Sequence, residues 1–452
     1  MGIVTLVKDF GKYYLRNGRL FDKYLEELEG AEKYSSSELK QYQEEKLKRI
    51  INIAYEHVPF YRKMFQERKL GPRDIQTIED LKKLPIIDKG TVRAHFKELR
   101  NNNHKGIISK GHTSGTTGTP GVFLRDLDSI NLENAAIVQH QRWADVRRGD
   151  KRVFLRGEKV APTERDEPPF WRFNRFKNQL IMSSYHLAER HLSHYVRKIK
   201  EFSPIMLEAY PSTAFILAQY MERVGDSLDI PVVHTSSEPL YPHWRELIER
   251  RLNAKVFDWY GMAERVCFAG ECKAHEGLHT FSGYGITEFV RPSNKEADNS
   301  EGVIVGTTLN NFVMPLIRYR TDDLGRLMEA TCKCGRNYPR IHAVETKYEN
   351  MIVTPKGRYI SPSLLTFCFK TAKNIAMSQI IQSKDGNIQI RIVAENQFSE
   401  QDRKHIISRM REILGEAVEI TVRLVSQIER RESGKFQWII SEIEPRNKMG
   451  II

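Results

Sequence analysis

Between residues 192 and 264, short apolar runs alternate with stretches whose apolar positions recur every three to four residues. Leu192, Tyr195, Val196, Ile199 and Phe202 mark a helix stopped by Ser203-Pro204. An apolar run at 205–209 follows, then Tyr210-Pro211-Ser212 and a second helix to about Val224. The run 230–234 leads into Thr235-Ser236-Ser237-Glu238-Pro239 and a third helix to about Leu252. The run 255–259 precedes Tyr260-Gly261-Met262-Ala263-Glu264. This alternation predicts a parallel sheet in an α/β fold. Each polar loop directly follows a strand, and ligands of open α/β sheets bind beyond the carboxyl ends of the strands.

The flanking patterns differ. Residues 36–56 carry Leu39, Leu47, Ile50, Ile51 and Ala54 at helical spacing behind a serine-rich start. Thr77-Ile78-Glu79-Asp80 opens a short helix that Pro85 ends. The first 20 residues mix apolar and basic side chains, which fits a membrane-surface helix or, better, a helix packed on the body. After about residue 345, strands at 377–383 and 387–395 flank a Lys384-Asp385-Gly386 turn. A helix at 399–414 and a strand at 418–424 complete a small α+β unit. The expected organisation is a large domain over 1–345 and a mobile C-terminal domain over 346–452. Residues 294–300 read as a surface loop.

Composition narrows the chemistry only a little. The 452 residues exceed one ordinary core and imply two or three packed units. No apolar run approaches the roughly 20 residues of a membrane span, so a cytoplasmic protein is expected. The net charge of +13 favours anionic partners or serves solubility alone. No motif for nucleic acid accompanies it, and no nucleic-acid partner is expected. Five cysteines argue against a disulfide framework and point to metal or thiol chemistry.

Residues 113–121 read TSGTTGTPG. Thr113, Ser114, Thr116 and Thr117 offer hydroxyls, and Gly115, Gly118 and Gly121 let backbone amides approach an oxyanion. The loop does not match the P-loop, because no lysine follows, and it is not the Rossmann G-x-G-x-x-G fingerprint. Four further stretches stand in order behind it: SSEPL at 236–240, YGMAE at 260–264, YRTDDLG at 319–325 and SGKF at 433–436. Together the five resemble the adenylate-forming superfamily of acyl-CoA synthetases, luciferases and adenylation domains. EHVPFYRKMF at 56–65, IEDLKKLPIIDK at 78–89, GLH at 277–279 and TCKCGRNYPRI at 331–341 resemble the phenylacetate–CoA ligases and CapK-like proteins.

This resemblance implies an acyl-CoA-synthetase-like fold: an α/β N-terminal domain with parallel-sheet subdomains and a small α+β C-terminal one. It implies an ATP-dependent ligase that activates an acid, aryl or arylacetic in type, as an acyl-adenylate and passes it to coenzyme A. The 113–118 loop would hold phosphates and Glu264 would help hold Mg²⁺. Ser237, Glu238, Tyr260 and Gly261 would line the adenine, and Asp323 would bind the ribose. Lys435 would bridge the acid and the α-phosphate in the transition state. Tyr210 and Ser212 would border the acid, with Phe268 a further candidate. Some relatives carry a structural zinc, which here would fall to Cys272, His279, Cys332 and Cys334, with His275 and Cys267 as alternatives. Expected partners are ATP, coenzyme A and a small carboxylic acid; a peripheral membrane contact and a homodimer stay open.

Four departures stand out. Gly121 replaces the phosphate-loop lysine, Ala263 precedes the metal glutamate, and Asp322 replaces a glycine. The hinge reads Thr346-Lys347-Tyr348-Glu349-Asn350, with Lys347 in place of an arginine. They keep two alternatives in view: a CapK-like enzyme of surface polysaccharide synthesis with an amine acceptor, and a catalytically lapsed nucleotide-binding partner protein.

Overall fold

Helices open the chain and form a bed for the sheet. In α1 (Arg19–Ala31), Phe21, Tyr24, Leu25 and Leu28 are buried against α5 (Leu127–Trp143). In α2 (Ser36–His57), a reciprocal cap sets the start: Ser35 accepts from the Glu38 N–H and Glu38 from the Ser35 N–H. Its Leu47, Ile50, Ile51 and Ala54 join a core with α3 (Pro59–Glu67) and the 309–319 segment. The short helix expected after Thr77 is a 3-10 turn at Glu79–Lys83, with Asp80 accepting from the Thr77 N–H. A final short helix, α4 (Lys89–Ala94), leads to the sheets. This computed structural model describes residues 10–11, 13–112, 122–158, 160–161, 165, 167–187, 189–290, 301–342, 344, 346–347, 352–354, 359–360, 365, 368–369, 374–394, 398–429 and 437–443.

Strands β1 (Ser109–His112) and β2 (Val122–Arg125) pair antiparallel and bracket the 113–121 loop, which lies outside the described residues. Gly111 lets the Arg125 guanidinium lie close: a β-carbon there would come within 2.3 Å of its central carbon. Directly after β2, Asp126 caps α5 through the Ser129 N–H at 2.8 Å and accepts from Phe312 N–H at 2.6 Å. The exit of the loop is thereby tied to the core.

The large sheet has thirteen strands. β3 (Arg152–Leu155), β5 (Gln179–Met182), β6 (Met206–Ala209), β7 (Val232–Ser236) and β8 (Lys255–Gly261) are parallel, and β4 (Trp171–Asn174) closes that edge antiparallel. All five residues of β7 are buried, as in a strand covered on both faces. The crossovers are α6 (Glu189–Phe202), α7 (Pro211–Arg223) and α8 (Pro242–Leu252). Pro211 and Pro242 sit in first turns, where no N–H is missed. The expected α/β pattern is therefore present; β6 ends where its apolar run does, while β7 and β8 each run two residues further into the polar loops.

Beyond β8 the sheet turns antiparallel through β9 (Phe268–Glu271), β10 (Leu278–Thr280), β11 (Gly285–Val290), β12 (Glu301–Thr308), β13 (Tyr319–Met328), β14 (Arg340–Ile341) and β15 (Thr346–Lys347). A bulge interrupts β12 and β13. Between the pairs Val303–Leu324 and Val305–Arg320, Ile304 alone faces Thr321-Asp322-Asp323. Thr321 Oγ1 holds it, donating to the Ile304 carbonyl at 2.9 Å and accepting from the Asp323 N–H at 3.2 Å. Bulges of this kind re-aim side chains beside functional sites.

A two-stranded pair, β16 (Ile352–Val353) and β17 (Tyr359–Ile360), precedes a four-stranded sheet. The latter orders β20 (Ile420–Leu424), β19 (Ile388–Ala394), β18 (Ile375–Gln382) and β21 (Ile439–Ser441), covered by α9 (Glu400–Leu414) around its own core. Gly386 turns the β18–β19 hairpin with φ of 92°. Among the described residues, no helix is long and apolar enough to cross a membrane.

Candidate active site and a cysteine–histidine cluster

The parallel register aligns the carboxyl ends of β3, β6, β7 and β8. Leu155 pairs with Ala209, Ala209 with Thr235, and Ser236 with Trp259. The residues just past these ends therefore face one cleft. Ser237, in a left-handed conformation with φ of 71°, receives a 2.8 Å hydrogen bond from Arg156. Arg156 also donates to Glu208 at 3.3 Å, and its guanidinium lies 5.3 Å from the Tyr210 ring and 5.8 Å from the Trp259 ring. Glu238 accepts from the Ser212 N–H at 3.1 Å. Tyr210, Ser212, Ser237 and Glu238 are thus one joined surface.

Across the cleft, Tyr260 donates to Asp323 Oδ2 at 2.6 Å. Asp323 is 5% exposed, on the bulged strand rather than in a solvated turn. Burial, followed by the Asp323 charge, pushes the Tyr260 hydroxyl well above its ordinary range, so it stays a donor. Glu264 accepts from the Tyr319 hydroxyl at 3.1 Å. Lys347 is paired in register with Asp323, which puts the start of the expected hinge on the strand beside it. Thr113, Ser114, Gly115, Thr116, Thr117, Gly118 and Lys435 lie outside the described residues. The flanks of the Lys435 segment are described: Ile428 packs in the core beneath α7 and α8, and the Trp438 ring lies 5.0 Å from that of Tyr241, three residues after Glu238.

Two basic residues escape a motif reading. Arg156 follows β3 without a recognisable pattern around it. Arg125 lies over Gly111 at the entrance of the 113–121 loop, and its guanidinium donates to the Ala263 carbonyl. Burial, then Arg265, lowers its pKa to about 10, which leaves it cationic near neutrality. The only signal in the sequence was position: Arg125 ends β2 and Arg156 follows β3 directly.

Beside the cleft, Cys272, His279, Cys332 and Cys334 bring their ligand atoms within 4.8 Å of one another. Cys272 Sγ lies 3.6 Å from Cys332 Sγ, and Cys334 Sγ 3.4 Å from His279 Nε2. Tetrahedral Zn²⁺, with its usual bond lengths, separates two sulfurs by about 3.8 Å and sulfur from nitrogen by about 3.6 Å. The set fits that ion in both distance and ligand type, and the cysteines are free thiols rather than disulfides. The two alternative ligands are engaged elsewhere: His275 Nδ1 lies 3.4 Å from Glu271, and Cys267 accepts from Thr287 at 3.5 Å.

A two-part chain of this topology, with loaded loops at the carboxyl ends of its parallel strands, has the fold of an adenylate-forming ligase. The structure of a 2-hydroxyisobutyryl-CoA ligase in its postadenylation state superposes with a TM-score of 0.72 over 92% of each chain, at 19% identity. Residues 352–442 match the family described as the CapK C-terminal domain. Protein CapK of Staphylococcus aureus is 24% identical over 445 residues, covering 96% of this chain and 95% of its own. Phenylacetate-coenzyme A ligase of Aromatoleum evansii is 29% identical over 324 residues, covering 70% of this chain and 72% of its own. The chain is thus similar, along most of its length, to phenylacetate-coenzyme A ligases and to CapK, and residues 352–442 match the CapK C-terminal family.

Proposed function

We propose that this protein is an AMP-forming acid–thiol ligase: it condenses a carboxylic acid with ATP to an acyl-adenylate and pyrophosphate, then passes the acyl group to coenzyme A. The observation that carries the reading is the Tyr260–Asp323 pair standing across the strand ends from Ser237 and Glu238. In this reading Asp323 accepts both ribose hydroxyls, a task for a fixed, buried carboxylate. Tyr260 and Gly261 border the adenine with Ser237 and Glu238. Thr113, Ser114, Gly115, Thr116, Thr117 and Gly118 hold the β- and γ-phosphates. Arg125 gives their loop a standing positive charge at its base, where the sequence has Gly121 instead of lysine.

Glu264 takes part in binding Mg²⁺, which supplies charge neutralisation on the phosphates when present. The acid lies beside Tyr210 and Ser212. Its carboxylate oxygen attacks the α-phosphorus, the bond to the bridging oxygen breaks, and pyrophosphate leaves with the electron pair. Lys435 stabilises the charge that builds on the α-phosphate. The flanking contacts of Ile428 and Trp438 support a C-terminal unit that can present this lysine at the cleft. Withdrawal of residues 346–452, pivoting near Lys347, then admits the thiol. Cys272, His279, Cys332 and Cys334 hold a structural Zn²⁺ that ties the 270s loop to the 330s loop.

The alternative acceptor is an amine in place of the thiol. One experiment separates the outcomes. Pyrophosphate release is measured across a panel of acids, followed by AMP release on adding coenzyme A or amines. Acceleration by coenzyme A supports the thioester reading, and acceleration only by an amine moves the acceptor. ATP binding without pyrophosphate release from any acid sinks both and leaves a nucleotide-binding partner protein.

A further inference from the structure

Under the floor of the cleft, a chain of buried polar groups ends open. His140, on α5, lies flat on β9: a β-carbon at Gly270 would sit 2.5 Å from its ring. Its Nε2 is 2.8 Å from the Glu271 carbonyl oxygen, and its Nδ1 is 2.9 Å from His234 Nε2. A carbonyl oxygen only accepts, so His140 Nε2 carries the proton. A neutral His140 then has a bare Nδ1, which obliges His234 Nε2 to donate to it. His234 Nδ1 is left as a lone-pair acceptor, and it is buried with no partner. Both rings are fully buried, and burial holds both far on the neutral side, His140 down to about 4.

Trp259 shows the converse fault. Its ring stacks 6.1 Å from that of His234, and its Nε1–H, which can only donate, is also buried and unpartnered. Trp259 pairs in register with Ser236, two residues beyond His234 on the same face of β7. Arg156 lies over its ring. A fixed acceptor and a fixed donor thus stand unsatisfied immediately below the strand-end groups. Native proteins seldom leave buried polar atoms so, and each such atom costs stability until something pairs with it.

We propose that the acid this enzyme activates carries a hydroxyl on its tail, which donates to His234 Nδ1 and accepts from Trp259 Nε1. A hydroxyl does both at one oxygen, whereas a hydrocarbon tail leaves both groups unpaired. The inference rests on the ligase reading for the identity of the pocket. It sharpens the substrate class from aryl-type acids in general to hydroxy acids.

The probes are phenylacetate and benzoate, each against its ring-hydroxylated counterparts, and propanoate against lactate and 3-hydroxypropanoate. Calorimetry on the full chain, with Mg²⁺ and an ATP analogue that cannot be cleaved between the α- and β-phosphates, measures binding. Pyrophosphate release measures turnover. At least one hydroxy acid should bind about 30-fold or more tighter than its parent. His234→Phe should bring that ratio to within about threefold, while His234→Asn, whose amide oxygen can replace the acceptor, keeps part of it. Trp259→Phe, which keeps the stack and loses only the donor, carries the test if His234→Phe does not fold.

Equal binding in every pair, or a ratio that survives the variants, overturns the proposal and leaves the two groups to an internal water. Failure of every acid to bind overturns it as well. A hydroxyl preference without pyrophosphate release keeps the proposal and removes the ligase reading. Turnover confined to the unhydroxylated acids does the reverse.

Discussion

The cysteine–histidine cluster and the strand-end cleft sit side by side but are built on opposite plans. The cluster is compact: four candidate ligand atoms lie within 4.8 Å of one another, brought together by the pairing of β10 with β9 and β14. The cleft has two sides, each joined within itself: Ser212 with Glu238 on one and Tyr260 with Asp323 on the other. In the proposed reading its remaining chemistry belongs to 113–121 and to the segment carrying Lys435, both outside the described residues. A structural metal site gains from saturated coordination, because the bonds themselves stabilise the fold. A site that turns over gains from parts that arrive and leave. In the proposed reading, the difference separates what holds this molecule together from what it does.

The contrast is broken most directly at Lys435. Lys435→Ala should lower pyrophosphate release by about 10²–10³-fold. Thioester formation from a synthetic acyl-adenylate should be largely spared, since no charge then builds on the α-phosphate. Equal loss of both half-reactions in rapid-quench assays would refute the assigned role.

The cluster should behave the other way. Fresh protein should contain about one zinc per chain by metal analysis, and Cys332→Ser should lose it. A chelator should lower the melting temperature by about 5 °C or more, while the affinity for ATP changes far less. Metal-free protein as first isolated, or parallel loss of ATP binding, would erase the distinction between the two regions.

Smaller changes sharpen the cleft. Tyr260→Phe deletes a hydrogen bond to a carboxylate and should raise KM for ATP about tenfold. KM for the acid should change much less. Arg156→Lys keeps the charge but loses the planar fork that reaches both Glu208 and Ser237. A drop in kcat/KM of about threefold is expected, measured with ATP and with the acid varied in turn; no change in either would leave Arg156 outside the working surface of the cleft.

How much of this was legible beforehand differs by element. The strands at 205–209, 230–234 and 255–259 were readable because buried parallel strands are continuous apolar runs between helical periods. Their polar ends were read as loop, since Thr235, Ser236 and Tyr260 look like turn residues once the apolar run stops. The Thr77 helix came out as a 3-10 turn because Asp80 satisfies the first N–H groups and Pro85 leaves no room for another turn. Asp323 could be singled out by its motif, but not the bulge that aims it, because a bulge is a mismatch between two strands and only one is read at a time. His140 and His234, 94 residues apart, carry no joint signal at all.

The chain by itself determined the α/β order, the identities of Tyr260, Glu264, Asp323 and the four cluster ligands, and the resemblance that joins them. These are local properties: periodicity, turn chemistry and residue type at short spacing. Tertiary structure alone decided that His275 and Cys267 are engaged elsewhere, that Arg125 stands at the base of the 113–121 loop, and that a bare acceptor and a bare donor lie together beneath the cleft. Those depend on which strands become neighbours and in what register. That is fixed by burying apolar faces across the whole sheet rather than within any one stretch of sequence.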